Sequence, residues 1–151
     1  MLDVEGINRL LDAAVPFSRA VGAQVVTLEP EFAEAVLPEL PERLNHVGTV
    51  HAVAQFGVGE VASGALISGV FADMQAQGYA PIVAEATIRY LRPARGELRA
   101  SARFAAAEQA RVRDELRANG KARFTIAVRI VDASETVTTE LEVNWALIKP
   151  R

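Results

Sequence analysis

The sequence predicts an α+β domain in which an antiparallel β-sheet wraps around a long central α-helix. Four segments in the second half of the chain alternate apolar and polar residues with a period of two, as strands with one dry and one wet face do. Ahead of them, the stretch from Ala52 to Ala72 holds one charged residue, Glu60, and lacks a polar face. The sheet needs something apolar on its inner side, and this stretch is the only candidate large enough.

The elements follow in order. Ile7, Leu10, Leu11, Ala14 and Val15 recur at helical spacing between Val4 and Val15, so a short amphipathic helix precedes Pro16. Residues 1–20 thus form a helical segment ahead of the core. From Ala23 to Leu37 the pattern is extended, and Pro30 divides it into a hairpin; Pro38 and Pro41 then open a loop. The 52–72 helix contains Gly57, Gly59, Gly64 and Gly69, each costing about 1 kcal/mol relative to alanine in an exposed helix. Burial must offset that, and close backbone approach is the usual reason for tolerating glycine.

Beyond the helix, Ile82, Ala84, Ala86, Ile88 and Tyr90 alternate with polar neighbours, as do Leu98, Ala100, Ala102 and Phe104. Ala122, Phe124, Ile126, Val128 and Ile130 repeat the pattern, and Val137, Leu141, Val143, Trp145 and Leu147 close it. The links Pro93–Gly96 and Asp132–Glu135 have hairpin length, which predicts a four-stranded meander. The remaining link holds a charged helix, Glu108–Ala118, with Gly120 just past its end. No linker or repeat divides residues 1–151, and a single domain is expected.

Composition narrows the function. With 151 residues, 50% hydrophobic and 23% charged, the chain is long enough to bury a core. A net charge of -3 argues against nucleic-acid partners. The absence of cysteine removes thiolate metal sites and cysteine nucleophiles, and two histidines with scattered carboxylates give no ligand spacing, so no metal is expected. Asp3 and Glu5 stand where a secretory signal carries basic residues, and a cytoplasmic location is expected. The 52–72 stretch has the length of a bilayer span, but Glu60 near its middle makes a core helix the better reading than membrane insertion.

The chemistry concentrates in Asn45-His46-Val47-Gly48-Thr49-Val50-His51-Ala52, with Glu60 nine residues after His51. A glycine-containing loop leading into a helix leaves backbone N–H groups unpaired at the helix start, where an anion or a developing oxyanion is favoured. Glu60 lies on one helix face with Gly57 and Gly64, which leaves room beside it for a substrate or a neighbouring subunit. A lone carboxylate among apolar neighbours has a raised pKa, which suits a general base or nucleophile. The bland alternatives are a buried Glu60 paired with Asn45, His46 or an arginine, and a His51 imidazole that merely fixes the loop.

The Asn-x-x-Gly-Thr-x-His run, the helix carboxylate nine residues on, and the strand ending Tyr90-Leu91-Arg92-Pro93-Ala94 resemble the hotdog-fold acyl-coenzyme A thioesterases of the phenylacetate-degradation type. Gly120-Lys121-Ala122 and the strand of Trp145 resemble a little-characterised branch of that superfamily, and the likeness spans roughly residues 22–148. The resemblance implies that Glu60 activates water or attacks the thioester, that the Ala52 N–H polarises the carbonyl, and that Asn45 positions carbonyl or water. It implies substrate contacts at Gly48, Thr49, His51, Gly57, Gly64 and Val83. It also implies a homodimer or homotetramer with its active site between subunits, and no cofactor besides the coenzyme A of the substrate. Arg89 and Arg92, with Arg95, are candidates for the phosphates of that group, or solvated surface charge.

Two departures separate the chain from the pattern. Ala52-Val53 stands where the family usually has two glycines, and Val83 stands where some relatives carry a hydroxyl residue. Both favour the alternative of a non-catalytic module that binds acyl-coenzyme A or a fatty acyl group. A hotdog dehydratase would need a histidine within the helix, which has none.

Overall fold

Asp3 accepts a hydrogen bond from the Gly6 N–H at 2.7 Å, which caps α1 (Val4–Ala14). The computed structural model describes residues 3–149, so Met1, Leu2, Pro150 and Arg151 lie outside the described residues. Pro16 does not end the helical segment; it opens a second short helix, α2 (Pro16–Val21). Proline fits the first helical turn because the N–H it lacks would be unpaired there.

The hairpin β1 (Gln24–Glu29) and β2 (Phe32–Leu37) follows as expected. The central helix α3 (Ala52–Val70) and the short α4 (Ala72–Ala76) lead to β3 (Ala80–Tyr90). Then come β4 (Leu98–Arg103), α5 (Ala106–Asn119), β5 (Lys121–Val131) and β6 (Val137–Ile148). Gly120 ends α5 with φ 69°, its N–H returning to the Leu116 carbonyl at 2.8 Å.

All six strands form one antiparallel sheet in the order β1-β2-β4-β5-β6-β3. The predicted meander is therefore wrong at one link. Pro93–Gly96 is no hairpin, because β3 pairs with β6 at the far edge and β4 lies between β2 and β5. The link instead crosses the β5–β6 turn: the Arg95 N–H donates to Asp132 Oδ2 at 3.3 Å, and the Ala133 N–H to the Arg95 carbonyl at 3.2 Å. Alternation identifies strands but carries no information on their order.

Strand β3 departs from its pattern in a second way. Register shifts between Val83 and Glu85, so Val83 opposes Trp145 while Glu85 opposes Asn144. A bulge reverses which parity faces inward. Val83 packs against the core and Ile82 is 47% exposed, whereas Ala86 and Ile88 beyond the bulge keep the expected direction.

Helix α3 has the length and hydropathy of a membrane span, yet 67% of that window is buried within this domain. Its glycines explain how it fits. A Cβ on Gly59 would stand 2.8 Å from Leu141 Cδ2, and one on Gly57 would stand 2.9 Å from Val21 Cγ1. The inward residues of β4, β5 and β6, among them Leu98, Ile126, Ile130 and Leu147, complete the core.

Candidate active site

The start of α3 is built by the loop before it. Asn45 Oδ1 accepts the Val47 and Thr49 N–H groups, each at 3.1 Å, and Asn45 Nδ2 donates to Thr49 Oγ1 at 2.8 Å. Gly48, at φ 74°, takes the left-handed conformation that closes this turn, and its carbonyl accepts Arg95 Nη1 at 3.2 Å. Both lone pairs of the Asn45 oxygen are engaged, so Asn45 shapes the loop and retains one amide N–H for other work.

His51 is the N-cap of α3. Its Nδ1 accepts the Val53 N–H at 3.1 Å, which gives the imidazole the loop-fixing role set out above. Buried Gln55 ties the helix to its surroundings. Its Nε2 donates to the Val50 carbonyl at 2.9 Å, and its Oε1 accepts the Thr139 hydroxyl from β6. Tyr90 Oη donates to the Ala52 carbonyl at 3.0 Å. The Ala52 N–H has no acceptor among the described residues. It is the open donor at the helix start.

A cleft of about 480 Å³ lies over this donor, lined by Asn45, Thr49, Ala52, Gln55, Tyr90 and Arg92 among others. Five of the predicted residues therefore converge: Asn45, Thr49, Ala52, Arg92 and Arg95. Arg89 does not join them. It pairs with Glu140 at 2.9 Å in a groove on the outer face of the sheet. Successive side chains of a strand point to opposite faces, and the chain turns away after Tyr90, so Arg89 and Arg92 form no common patch.

Glu60 stands elsewhere on the same helix. The residues of α3 outside the buried set are Ala52, Val53, Ala54, Phe56, Glu60 and Gly64, and Val53, Phe56, Glu60 and Gly64 share one face at helical spacing. Burial alone raises the Glu60 pKa above its ordinary 4.5, and its carboxylate has no hydrogen bond or ion pair among the described residues. Among the described residues, then, Glu60 has none of the partners that the bland expectation gives it. A Cβ at Gly64 would lie 3.9 Å from Glu60 Oε1 and 3.6 Å from the Trp145 ring, so Gly64 does border the acid. Gly57 does not, because Val21 of α2 fills the space beside it. Val21 ends α2, whose packing against this side of α3 has no signature in the residue pattern. Val83 opposes Trp145 on the neighbouring strand and contacts the core.

Tyr90, Gln55 and Thr139 were not expected at the site. Gln55 offers a faint signal, as an amide on an otherwise apolar helix; Tyr90 lies in the strand motif, where alternation alone predicts an inward apolar residue. Thr139 offers none.

An antiparallel sheet packed against one long glycine-bearing helix gives the chain the hotdog fold of structural neighbours described as thioesterases. Within that class it belongs to the family of the domain of unknown function DUF4442, whose model matches residues 5–147. It is similar to a Pseudomonas aeruginosa protein of unknown function described as a probable thioesterase. The two share 28% identity over 99% of this chain and 97% of that one, with a TM-score of 0.85. A Haemophilus influenzae thioesterase has the same fold at 13% identity and a TM-score of 0.76, covering 99% of this chain and 92% of that one. The E. coli PaaI protein from the phenylacetic acid degradation operon has it at 18% identity and 0.66, covering 92% and 93%. No curated protein matches the chain.

Proposed function

We propose that the protein hydrolyses acyl-coenzyme A thioesters at a site completed by two copies of the chain. The observation that carries this reading is the unpaired, partly buried Glu60 carboxylate on the uncovered face of a helix whose first N–H is also open. At about 1.5 Å of rise per residue, Glu60 lies about 12 Å along the axis from Ala52. One carbonyl cannot touch both groups of one helix. Donor and acid address the same carbonyl only if one copy supplies the helix start and its partner the carboxylate. The apolar stripe of Val53 and Phe56 leading to Glu60 supports an acyl group as occupant.

In this mechanism the Ala52 N–H binds the thioester oxygen and stabilises the charge that develops there. Glu60 takes a proton from water, whose oxygen adds to the carbonyl carbon. Collapse of the adduct breaks the C–S bond, and the proton passes to the departing coenzyme A thiolate. Attack by Glu60 itself, through an anhydride that water then opens, uses the same two groups. No cofactor beyond the substrate's coenzyme A is required, and a cytoplasmic setting suits that substrate.

Glu60→Gln is expected to lower turnover of a responsive acyl-coenzyme A by about 10²–10⁴-fold while the protein still unfolds cooperatively. Thiol release measured across a substrate panel decides it, and undiminished hydrolysis by the variant removes Glu60 from the mechanism. The second reading, an acyl-coenzyme A binding module without turnover, is favoured by Val53, an exposed branched side chain directly after Ala52 where the resembled family usually has glycine. Thermal stabilisation by acyl-coenzyme A without thiol release would establish it.

A further inference from the structure

We propose that Tyr90 is a positioning residue for the oxyanion donor, holding the peptide group next to it so that the Ala52 N–H keeps one direction. The proposal rests on the hydrolytic reading for its catalytic consequence, but its geometry stands apart from it.

Two peptide planes meet at the Ala52 Cα, and peptide planarity means that fixing the ends of each plane fixes its N–H. The first plane carries the His51 carbonyl and the Ala52 N–H. Its oxygen accepts the Gln55 N–H at 3.1 Å, and the preceding His51 N–H donates to the Arg43 carbonyl at 2.8 Å. The second plane carries the Ala52 carbonyl and the Val53 N–H. Tyr90 Oη holds its oxygen at 3.0 Å and His51 Nδ1 holds its N–H at 3.1 Å. The plane is thus gripped at both ends by side chains from different parts of the chain.

Tyr90 is itself firmly placed. It opposes Thr139 across the β3–β6 ladder, and the next residue, Leu91, donates its N–H to the Thr138 carbonyl at 2.8 Å. The Thr139 hydroxyl in turn donates to Gln55, which holds the Val50 carbonyl. One short network therefore joins the end of β3, the start of β6 and the entry to α3. Desolvation pushes the Tyr90 phenol above its ordinary 10.0, so it stays a neutral donor across the physiological range. The Ala52 carbonyl belongs to the first turn of the helix ladder as well, so the phenol is an added bond and the helix does not depend on it.

Tyr90→Phe keeps the ring that walls the cleft and deletes the grip. The expected result is a kcat about 10-fold lower with KM within about twofold, because an oxyanion donor acts chiefly on charge that appears in the transition state. A residue that merely supported the fold would lower the melting temperature instead of splitting kcat from KM. The second measurement is amide hydrogen exchange at Val53 by two-dimensional NMR, expected to quicken about 10-fold in Tyr90→Phe as the plane loosens. Unchanged Val53 exchange overturns the proposal, as does an unchanged kcat in an enzyme that Glu60→Gln inactivates. If the native protein releases thiol from no acyl-coenzyme A, the hydrolytic reading falls, and Val53 exchange still decides the clamp.

Discussion

The cleft over the start of α3 and the groove on the outer face of the sheet are nearly equal in size, about 480 and 460 Å³. They differ in how their polar groups are held. The groove is lined by Arg89, Arg103, Arg129, Glu140 and Glu142 from four strands. Ser101, Arg129, Glu140 and Arg89 stand side by side in one cross-strand row, and Arg89 pairs with Glu140. Such groups are long, rotatable and solvated, and their attractions are largely screened. In the cleft the Asn45, Thr49, Gln55 and Tyr90 side chains are each hydrogen-bonded to a named neighbour, and beside them the Ala52 N–H is open. A fixed, unsatisfied dipole needs no reorganisation when charge appears beside it, whereas a solvated arginine does. Volume and charge alone do not separate the two places; restraint does.

The most severe way to break that contrast is Ala52→Pro. Position 52 is the first helical residue, where proline is tolerated, and His51 at φ −61° and ψ 142° already has the extended conformation that proline requires before it. The variant removes the open donor and little else. Thiol-release assays are expected to show kcat lowered about 10²–10³-fold, with the melting temperature nearly unchanged. Wild-type turnover in Ala52→Pro would mean that the cleft supplies no oxyanion donor at this residue.

The pH response of Glu60 gives a medium effect with a definite sign. Burial lifts its folded-state pKa above 4.5, so kcat/KM is expected to fall as pH drops through a midpoint above that value. Stability runs the other way. Above the raised pKa the folded protein holds an ionised, desolvated carboxylate that the unfolded chain holds in water, which costs folding free energy. Lowering the pH through the folded pKa towards 4.5 relieves that cost. Glu60→Gln should accordingly melt higher than the native protein at neutral pH, and calorimetry should find the difference shrinking towards pH 4.5. A difference independent of pH would mean that Glu60 is not desolvated. The smallest expected effect belongs to the groove: Arg129→Ala should leave turnover within about twofold. A larger loss would place the outer face in the reaction.

Much of this was legible in the residues. Helix α3 announced itself through a long stretch with one charge, and its glycines through their cost. The inward faces of β4 and β5 followed from alternation. Strand order did not, since β3 could join β4 or β6 by pattern alone and only the crossing of the β5–β6 turn decides. The bulge at Val83–Glu85 was equally hidden, because a single extra residue inverts the faces without disturbing the composition. At the site, Glu60 stands out as the lone charge of its helix, and Ala52 is named through the family resemblance alone. Tyr90 cannot be named, because a tyrosine in an alternating strand reads as an inward apolar residue, and only coordinates show its hydroxyl reaching the helix. The distance between donor and acid is a matter of helix rise, and it is on this distance that the proposed mechanism rests its second copy.

The two rims of the sheet end differently. At β1 the Asn8 side chain imitates a strand, its Oδ1 accepting the Val25 N–H at 3.0 Å and its Nδ2 donating to the Val25 carbonyl at 2.8 Å, with a register shift just beyond. At β3 no such plug is found among the described residues. If the plugged rim admits no further strand, β3 is the rim left for pairing. Two chains joined through β3 would present stoppered rims on both sides, and growth would halt at a closed pair rather than run on into a fibre.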